Sequence, residues 1–281
     1  GGGNQEEAVP ADTLPLDGGG LGRGWFALSV LACAFGMLSK EVMVTAPLAV
    51  LLFDRAFLSH SFVAALRARP RYYAVLAASW GALALALSMK RYPPFEDTRF
   101  STPLEYLLTQ FGVLTHYLRL SVWPSPLCLD YGWPIARGAG EILPYAVGIL
   151  GLLGASIWAY RRFPPAGFLG LWFFLALAPT SSLMPIKDPA FEHRMYLPLA
   201  AVAASAVLLA RAGAARLGIR PGALGVASAA ALLALGVATH LRNRDYRTFE
   251  SIWRDTAEKR PENPRAQLNV GDGHFKRGKA L

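Results

Sequence analysis

The sequence predicts an all-α membrane protein in which a polytopic bundle of about seven transmembrane helices precedes the start of a tetratricopeptide repeat region. Hydrophobic residues make up 53% of the 281 residues and charged residues only 17%, whereas an average soluble protein has about 25% charged residues. The apolar residues are grouped in blocks, and the chain becomes polar after residue 244. We therefore divide it into a flexible loop (1–20), a transmembrane domain (21–244) and a repeat region (245–281).

The first 20 residues are rich in glycine, proline and acidic side chains, which is typical of a flexible loop. Seven blocks of low charge follow, at residues 24–39, 42–53, 72–89, 142–160, 166–180, 196–210 and 222–239. A spanning helix needs about 20 largely apolar residues, so we expect the shorter blocks to borrow flanking residues or to pack inside the bundle. Residues 24–53 form either two helices or one long helix, which would change the topology of the first span.

The segment Leu104–Val122 has a helical pattern with one polar stripe. At 100° per residue, the members of the stripe fall within about 80° of one another. Such a helix either lies in the membrane interface or spans the membrane with its stripe facing a cavity. The stripe consists of Glu105, Thr109, Gly112, His116 and Arg119.

Basic loops indicate the orientation. The segments 66–71 and 161–162 are arginine-rich, as is the link that carries Arg211, Arg216 and Arg220, and the positive-inside rule makes all three cytoplasmic. Seven spans fit this assignment only if Leu104–Val122 does not cross. The loops around Lys40, 90–141 and 181–194, together with the chain after Thr239, are then expected on the non-cytoplasmic side.

The tail over 245–281 has the spacing of a tetratricopeptide helix–turn–helix unit, with Trp253, Ala257, Pro261 and Phe275 at its bulky, small and turn positions. About three such units are needed for a stable array. The chain begins with Gly1 rather than Met and ends inside this pattern. We expect it to be an internal fragment of a longer protein.

Composition and motifs exclude several classes of function. The formal net charge of +9 is compatible with nucleic-acid binding, but the basic residues occupy short loops between apolar blocks, so we expect membrane lipids and no nucleic acid as partners. Two cysteines, Cys33 and Cys128, cannot form a disulfide framework. The sequence contains no HExxH, CxxC, GxSxG or Walker loop, and we predict neither a metal nor a resident cofactor.

Three polar segments hold the candidate functional residues. Lys40 and Glu41 interrupt two apolar blocks, either as a turn at the interface or with Lys40 directed at an anionic headgroup or phosphate. The segment Trp123–Trp133 is typical of interfacial anchoring, although Asp130 is a lone carboxylate among rings and Tyr131 is a candidate for stacking on a sugar.

The segment 187–194 is the densest charged cluster beside a span. It is either a solvated loop with a stop charge or a phosphate site in which the guanidinium fork of Arg194 binds bidentately. Lys187, Glu192 and His193 accompany it, and a lone histidine such as His193 is more typical of a structural role than of a metal ligand. His116 and Arg119 face headgroups or line a cavity.

Four segments resemble, in order, the transmembrane and tetratricopeptide repeat (TMTC-type) O-mannosyltransferases and their bacterial relatives. They are GMLSKEVMVTAPLAVLLFDRAF, STPLEYLLTQFGVLTHYLRLSVWPSPLCLDYGW, FEHRMYLPLA and NRDYRTFESIWRDTAEKRPENPRAQLNVG. The resemblance covers about residues 22–281 and implies a GT-C fold. It also implies transfer of mannose or a similar hexose from a polyprenyl- or dolichyl-phosphate donor to Ser or Thr hydroxyls of an acceptor protein.

The resemblance places the active site on the non-cytoplasmic face of a bacterial inner membrane, or of the endoplasmic reticulum in a eukaryote. Because the family's catalytic acidic motif lies in a first outer loop that this sequence does not contain, the catalytic base is unknown, and neither Asp130 nor Glu192 is assigned to it. The resemblance implies that Arg194 contacts the lipid phosphate, with Lys187 and Lys40 as weaker candidates. The candidates for the cavity or the acceptor side are Glu41, His116, Arg119, Asp130, Tyr131, Glu192 and His193.

Two other functions are compatible with the sequence. A transporter or flippase subunit for a lipid-linked substrate requires charges near the bilayer midplane and broken helices in related halves. A non-catalytic anchor would display the repeats to an acceptor or partner protein, although one or two spans would suffice for it.

Overall fold

A computed structural model of the protein describes residues 21–89 and 102–278. These residues form eleven α-helices and two 3-10 turns without any strand, which confirms the all-α prediction. The predicted loop over 1–20 lies outside the described residues. The helices are α1 (Leu21–Ser39), α2 (Ala46–Phe57), α3 (Phe62–Ala68), α4 (Pro70–Met89), α5 (Pro103–Val122), α6 (Ala139–Arg162), α7 (Pro164–Leu177), α8 (Tyr196–Arg216), α9 (Pro221–Asp245), α10 (Phe249–Lys259) and α11 (Pro264–Gly278).

Four helical segments in the described residues are long and apolar enough to cross a membrane, rather than the seven predicted. They are α4, α6, α9 and the continuous segment Glu192–Arg216, which includes α8; the bent pair α2–α3 makes a fifth if it is counted as one span. The other blocks form shorter helices. For example, α7 has 14 residues between Pro164 and Leu177, so at about 1.5 Å per residue it is about 21 Å long, less than a hydrocarbon core of about 30 Å.

Residues 24–53 form two helices. Lys40 between them has an extended backbone (φ −154°, ψ 130°), and the 3-10 turn Glu41–Thr45 leads into α2, which has Pro47 in its first turn. Proline is well accommodated there because the first helical N–H groups have no partner within the helix. The charged Lys40–Glu41 pair thus marks the break between the two helices.

The amphipathic segment is α5, and most of its polar stripe packs against protein, while its position in the membrane interface stays a prediction. Eight of its residues are buried, including Thr109, Gln110 and His116, because the loop after α5 folds back over the polar stripe. Thr109 accepts a hydrogen bond from the backbone N–H of Ala136 at 3.1 Å. The stripe therefore faces protein, and at Thr109 a cavity of about 470 Å³ between α5, the loop and α6, rather than headgroups.

The polar segments collect at two ends of the bundle. At what we call the arginine end, the buried Asp54 carboxylate accepts hydrogen bonds from Arg69 (2.8 Å) and Ser59 (2.6 Å), which fixes the 106° bend between α2 and α3. Arg55 donates to the carbonyl of Tyr160 in the last turn of α6, so the Arg161–Arg162 bend belongs to this end.

At the loop end, which comprises residues 123–138 and 178–195 with α10 and α11, Arg265 contacts both Asp130 and Asp188. Because α6 runs for 24 residues between the two ends, the arginine-rich bend at 161–162 lies apart from the polar loops and the tail, and the side of the membrane on which each lies stays a prediction. The tail forms the packed pair α10–α11, and its assignment to a tetratricopeptide repeat stays a prediction.

Close packing of α6 against α7 depends on a glycine. A Cβ atom placed on Gly167 would lie 2.0 Å from the backbone nitrogen of Tyr160 in the last turn of α6, whereas one placed on Gly154 of α6 would meet nothing within 4 Å. We expect Gly167→Ala to lower the thermal unfolding midpoint of the purified protein, because the two backbones must separate. Gly154→Ala is the control and should leave the midpoint unchanged or raise it. Equal midpoints for the two variants would contradict this account.

Candidate functional site at the loop end

The face of α5 that meets the loop end carries polar groups at helical spacing. Tyr106, Gln110 and Tyr117 lie on one face because residues four and seven apart align on a helix. Tyr106 donates to the carbonyl of Thr180 at 2.6 Å, Gln110 to that of Pro189 at 3.4 Å, and Tyr117 to that of Phe191 at 3.0 Å. The irregular segment 178–195 therefore obtains its hydrogen-bond partners from α5.

Glu192 joins the two loops of the site. Its carboxylate accepts from the backbone N–H of Cys128 at 2.8 Å and from the Tyr131 hydroxyl at 2.7 Å. Burial, together with the charge of Glu192, raises the pKa of Tyr131, which therefore stays a neutral donor. This geometry makes Glu192 a clamp between the loops.

Tyr131 is not placed to stack on a sugar, contrary to one of the sequence interpretations. Only 3% of its surface is exposed. Its ring lies edge-on to His116 at 4.6 Å between centroids, and the guanidinium of Arg260 covers it at 5.2 Å. The ring therefore contributes to packing inside the loop end.

Asp130 has the partner that a lone buried carboxylate requires. Its carboxylate accepts from the N–H of Gly132 at 2.8 Å and from Arg265 at 3.4 Å, and its carbonyl accepts from Asn263 at 3.1 Å. Gly132 has a φ of +53°, and a Cβ atom there would lie 3.0 Å from the Asn263 side chain. Glycine at this turn thus allows α11 to approach the loop.

Arg194 is half-buried at the start of α8. Its guanidinium donates to the carbonyls of Asp188 at 2.6 Å and Pro189 at 3.0 Å, and it interacts with the hydroxyls of Tyr106 and Tyr117. Among the described residues it has no carboxylate partner. It therefore orders the loop while its positive charge stays unneutralised.

The remaining candidates are more exposed. Lys40 lies close enough to His193 for their charges to interact, and the His193 ring stacks near that of Phe191 at 4.9 Å. Lys187 is exposed on the same loop. Arg119, in the last turn of α5, donates to the carbonyl of Ser125 and thus stabilises the turn that follows the helix. The side chain of Glu41 lies outside the described part of the chain.

An apolar groove of about 460 Å³ lies between α2 with the turn before it, α7 and the start of α8. Val42 and Met43 from the turn after Lys40 form its rim, and Leu197, three residues after Arg194, closes it on the α8 side. Trp172 of α7 lines the groove, and its indole N–H donates to the carbonyl of Leu197 at 3.1 Å. The groove therefore joins an apolar interior to the polar rim of the bundle.

The sequence analysis did not foresee that the tail takes part in this end of the molecule. Lys259 donates to the carbonyl of Leu127 at 2.7 Å, and Arg265 forms ion pairs with Asp130 and Asp188. The sequence did contain one indication of this contact, because Asp130 lies in an apolar segment without a basic residue and a buried carboxylate needs a partner. No group of metal-binding side chains occurs among residues 21–89 and 102–278.

Comparisons of the chain with family models, with curated proteins and with solved structures give no match. The GT-C fold and the resemblance to the O-mannosyltransferases therefore stay predictions, and function is argued from the geometry of the site.

The two ion pairs of Arg265, with Asp130 and Asp188, attach α10 and α11 to the loops. Arg265→Gln removes both, and because the arginine is partly exposed each pair contributes at most about 1 kcal/mol. We expect faster hydrogen exchange and proteolysis in α10 and α11. Arg254→Gln is the control, because Arg254 pairs, among the described residues, only with Glu250 on its own helix. Identical protection of the tail in both variants would overturn this assignment.

His116 predicts a pH dependence of stability. Burial, with Arg119 and Arg260 nearby, lowers its pKa from the ordinary 6.5 to about 4, so between these values the unfolded chain binds a proton that the folded chain does not. Stability should therefore be complete above about pH 6.5 and fall progressively towards pH 4. His116→Phe should flatten the unfolding midpoint across this window, whereas His60→Asn at an exposed turn should not. The same slope in all three proteins would refute this role for His116.

Proposed function

We propose that this chain forms the donor-binding part of a membrane glycosyltransferase that passes mannose or a similar hexose from a polyprenyl- or dolichyl-phosphate carrier to protein hydroxyls. The observation that carries the proposal is the apolar groove, which is lined by Val42, two residues after Lys40, and by Leu197, three residues after Arg194, with Lys40 close enough to His193 for their charges to interact. The ordered resemblance of four segments supports the same function.

The groove and its rim complement the two parts of such a donor. An isoprenoid tail gains about 25 cal/mol for each Å² of apolar surface removed from water, and the walls around Phe53, Phe168 and Trp172 are apolar. The lipid phosphate then meets the ammonium of Lys40 and the charge of Arg194, which match its chemistry. Lys187 is farther along the same loop and adds positive charge.

Transfer at this rim is a substitution at the anomeric carbon. The acceptor hydroxyl attacks, the bond between that carbon and the phosphate oxygen breaks, and the hydroxyl proton passes to a base. Cations beside the leaving phosphate stabilise the charge that develops on it. Asp130 and Glu192 hold the loops together through their own hydrogen bonds, so neither is assigned as that base.

The arginine end supports an orientation for the proposal. The bends with Arg161–Arg162 and Arg216–Arg220 are cytoplasmic by the positive-inside rule. The loop end, with α10 and α11 attached, is then non-cytoplasmic, where protein acceptors for such a reaction are exported. We place the protein in a bacterial inner membrane, or in the endoplasmic reticulum membrane of a eukaryote.

One observation favours a non-catalytic scaffold as the second candidate. The pair α10–α11 is fastened to the membrane domain by Arg265, Asn263 and Lys259, which suits a protein that displays repeats at a fixed angle. Such a scaffold has no use for a cation-rimmed apolar groove.

Lys40→Gln and Ala176→Trp test the proposal from the two sides of the site. The first removes an exposed rim charge and the second fills the groove. We expect Lys40→Gln to reduce the retention of polyprenyl phosphate by the purified protein, measured by native mass spectrometry, by about fivefold, the contribution of one basic residue near an anionic headgroup, and Ala176→Trp to reduce it by about tenfold or more. Substitution of Arg194 also removes two hydrogen bonds to the loop, so Lys40 is the cleaner position.

Matched controls separate the site from general effects. Arg161→Gln removes one exposed charge at the opposite end, and Ala155→Trp adds the same bulk at an exposed position of α6; both should retain the lipid like the wild type. Binding that is unchanged in Lys40→Gln and Ala176→Trp would reject the donor site. Normal lipid binding without transfer by the full-length protein would favour the scaffold.

A further inference from the structure

A second cleft lies between α8 and α9, well away from the groove. It has a volume of about 650 Å³ and small residues on both walls, with Ala206, Ala210 and Ala214 on α8 and Gly225 and Ser228 on α9. These positions repeat at helical spacing and form one face of each helix. Small faces let membrane helices approach closely, yet here the two helices enclose space.

The helix α9 has little protein around it. None of its residues is buried, and large side chains such as Val226, Leu232 and Leu233 are 70–72% exposed. Its 25 residues are apolar enough to span a membrane. The composition of α9 therefore indicates that lipid chains surround it, and the cleft opens towards those chains.

The closed end of the cleft is strongly cationic. Arg211 lines it, and Arg216 and Arg220 follow on the link between the two helices. The sequence contains no Asp or Glu between residues 196 and 244, and none of the three arginines has an ion pair within the described residues. Three positive charges thus lie at the end of an apolar cleft with no acidic partner among the residues that the structure describes.

We propose that this cleft binds an anionic phospholipid, with its acyl chains between α8 and α9 and its phosphate at Arg211, Arg216 and Arg220. A guanidinium fork matches a phosphodiester in shape and charge. Basic pockets between transmembrane helices on the cytoplasmic side are a typical site for anionic headgroups. An apolar helix from another protein copy would leave Arg211 buried without a counter-charge, which is costly, so charge complementarity favours the lipid.

The site is independent of the proposed transferase activity, because it lies on other helices and at the arginine end. It would bind the lipid as a structural element that fills the gap beside α9. Net headgroup charge decides the selectivity, since phosphatidylglycerol carries a net negative charge and phosphatidylcholine none.

The experiment compares retention of phosphatidylglycerol and phosphatidylcholine by the purified protein in mixed micelles, measured by native mass spectrometry. We expect the wild type to retain phosphatidylglycerol preferentially. Arg211→Gln/Arg216→Gln should weaken that retention by about tenfold or more, because each arginine near an anionic headgroup contributes about a fivefold factor. Gly225→Trp, which fills the cleft, should also reduce it.

The double variant Arg161→Gln/Arg162→Gln is the matched control, since it removes two exposed arginines from another bend at the same end. It should keep the preference for phosphatidylglycerol. Equal retention of both lipids by the wild type, or equal loss in the two double variants, would overturn the site. A change from dimer to monomer in Gly225→Trp with unaltered lipid retention would show instead that a second copy fills the cleft.

Discussion

Unpaired backbone groups at the edge of a membrane need partners inside the protein, and this constraint governs the loop end. Two long irregular segments, 123–138 and 178–195, lie against the helices there, and hydrocarbon offers no hydrogen bonds to their N–H and C=O groups. Tyr106, Gln110 and Tyr117 of α5 supply them to the second segment. These three residues lie beside the predicted stripe rather than in it, so α5 serves the segment 178–195 with one row of side chains and the loop after α5 with another, at Thr109.

The same constraint determines which charges remain available for chemistry. Glu192 uses its carboxylate to clamp Cys128 and Tyr131, and Asp130 uses its own on Gly132 and Arg265. Each carboxylate thus holds two parts of the loop end together. Among the described residues neither Arg194 nor Lys40 has a carboxylate partner, and on this basis an anion is proposed for this end.

The sequence predicted local bends and helices well, but it did not predict which helix faces are covered by protein. The arginine bends and the helical character of 104–122 follow from charge and periodicity in neighbouring residues, and both are present, whereas the sequence left open whether residues 24–53 form one helix or two. The polar stripe of α5 was visible, but periodicity cannot say whether lipid, water or protein lies against it. The contact between Asp130 and Arg265 joins residues 135 positions apart, and no local pattern reports such a distance.

In the part of the chain that the structure describes, four or five helices are long enough to span a membrane rather than the predicted seven, and the reason is also physical. Hydropathy alone counts apolar blocks, whereas crossing a bilayer depends on the length of uninterrupted helix. Pro164 and the residues after Leu177 limit α7, and Lys40 with the 3-10 turn limits α1 and α2. Such short helices fill the interior between longer ones, and α2 and α7 form the walls of the groove in this way.

A series of contacts connects α11 in the tail to Leu197 in the wall of the groove. Arg265 of α11 holds Asp130, the adjacent Tyr131 holds Glu192, and Glu192 begins the turn that leads through Arg194 to Leu197 at the groove. Two of these contacts are an ion pair and a hydrogen bond, and the covalent chain joins them, so displacement of α10–α11 must either break one of the two or move Glu192 and the turn after it. The α8–α9 cleft is connected to the tail as well, because Arg242 of α9 pairs with Asp255 of α10, so displacement of the tail acts on α9 as well as on the loop end.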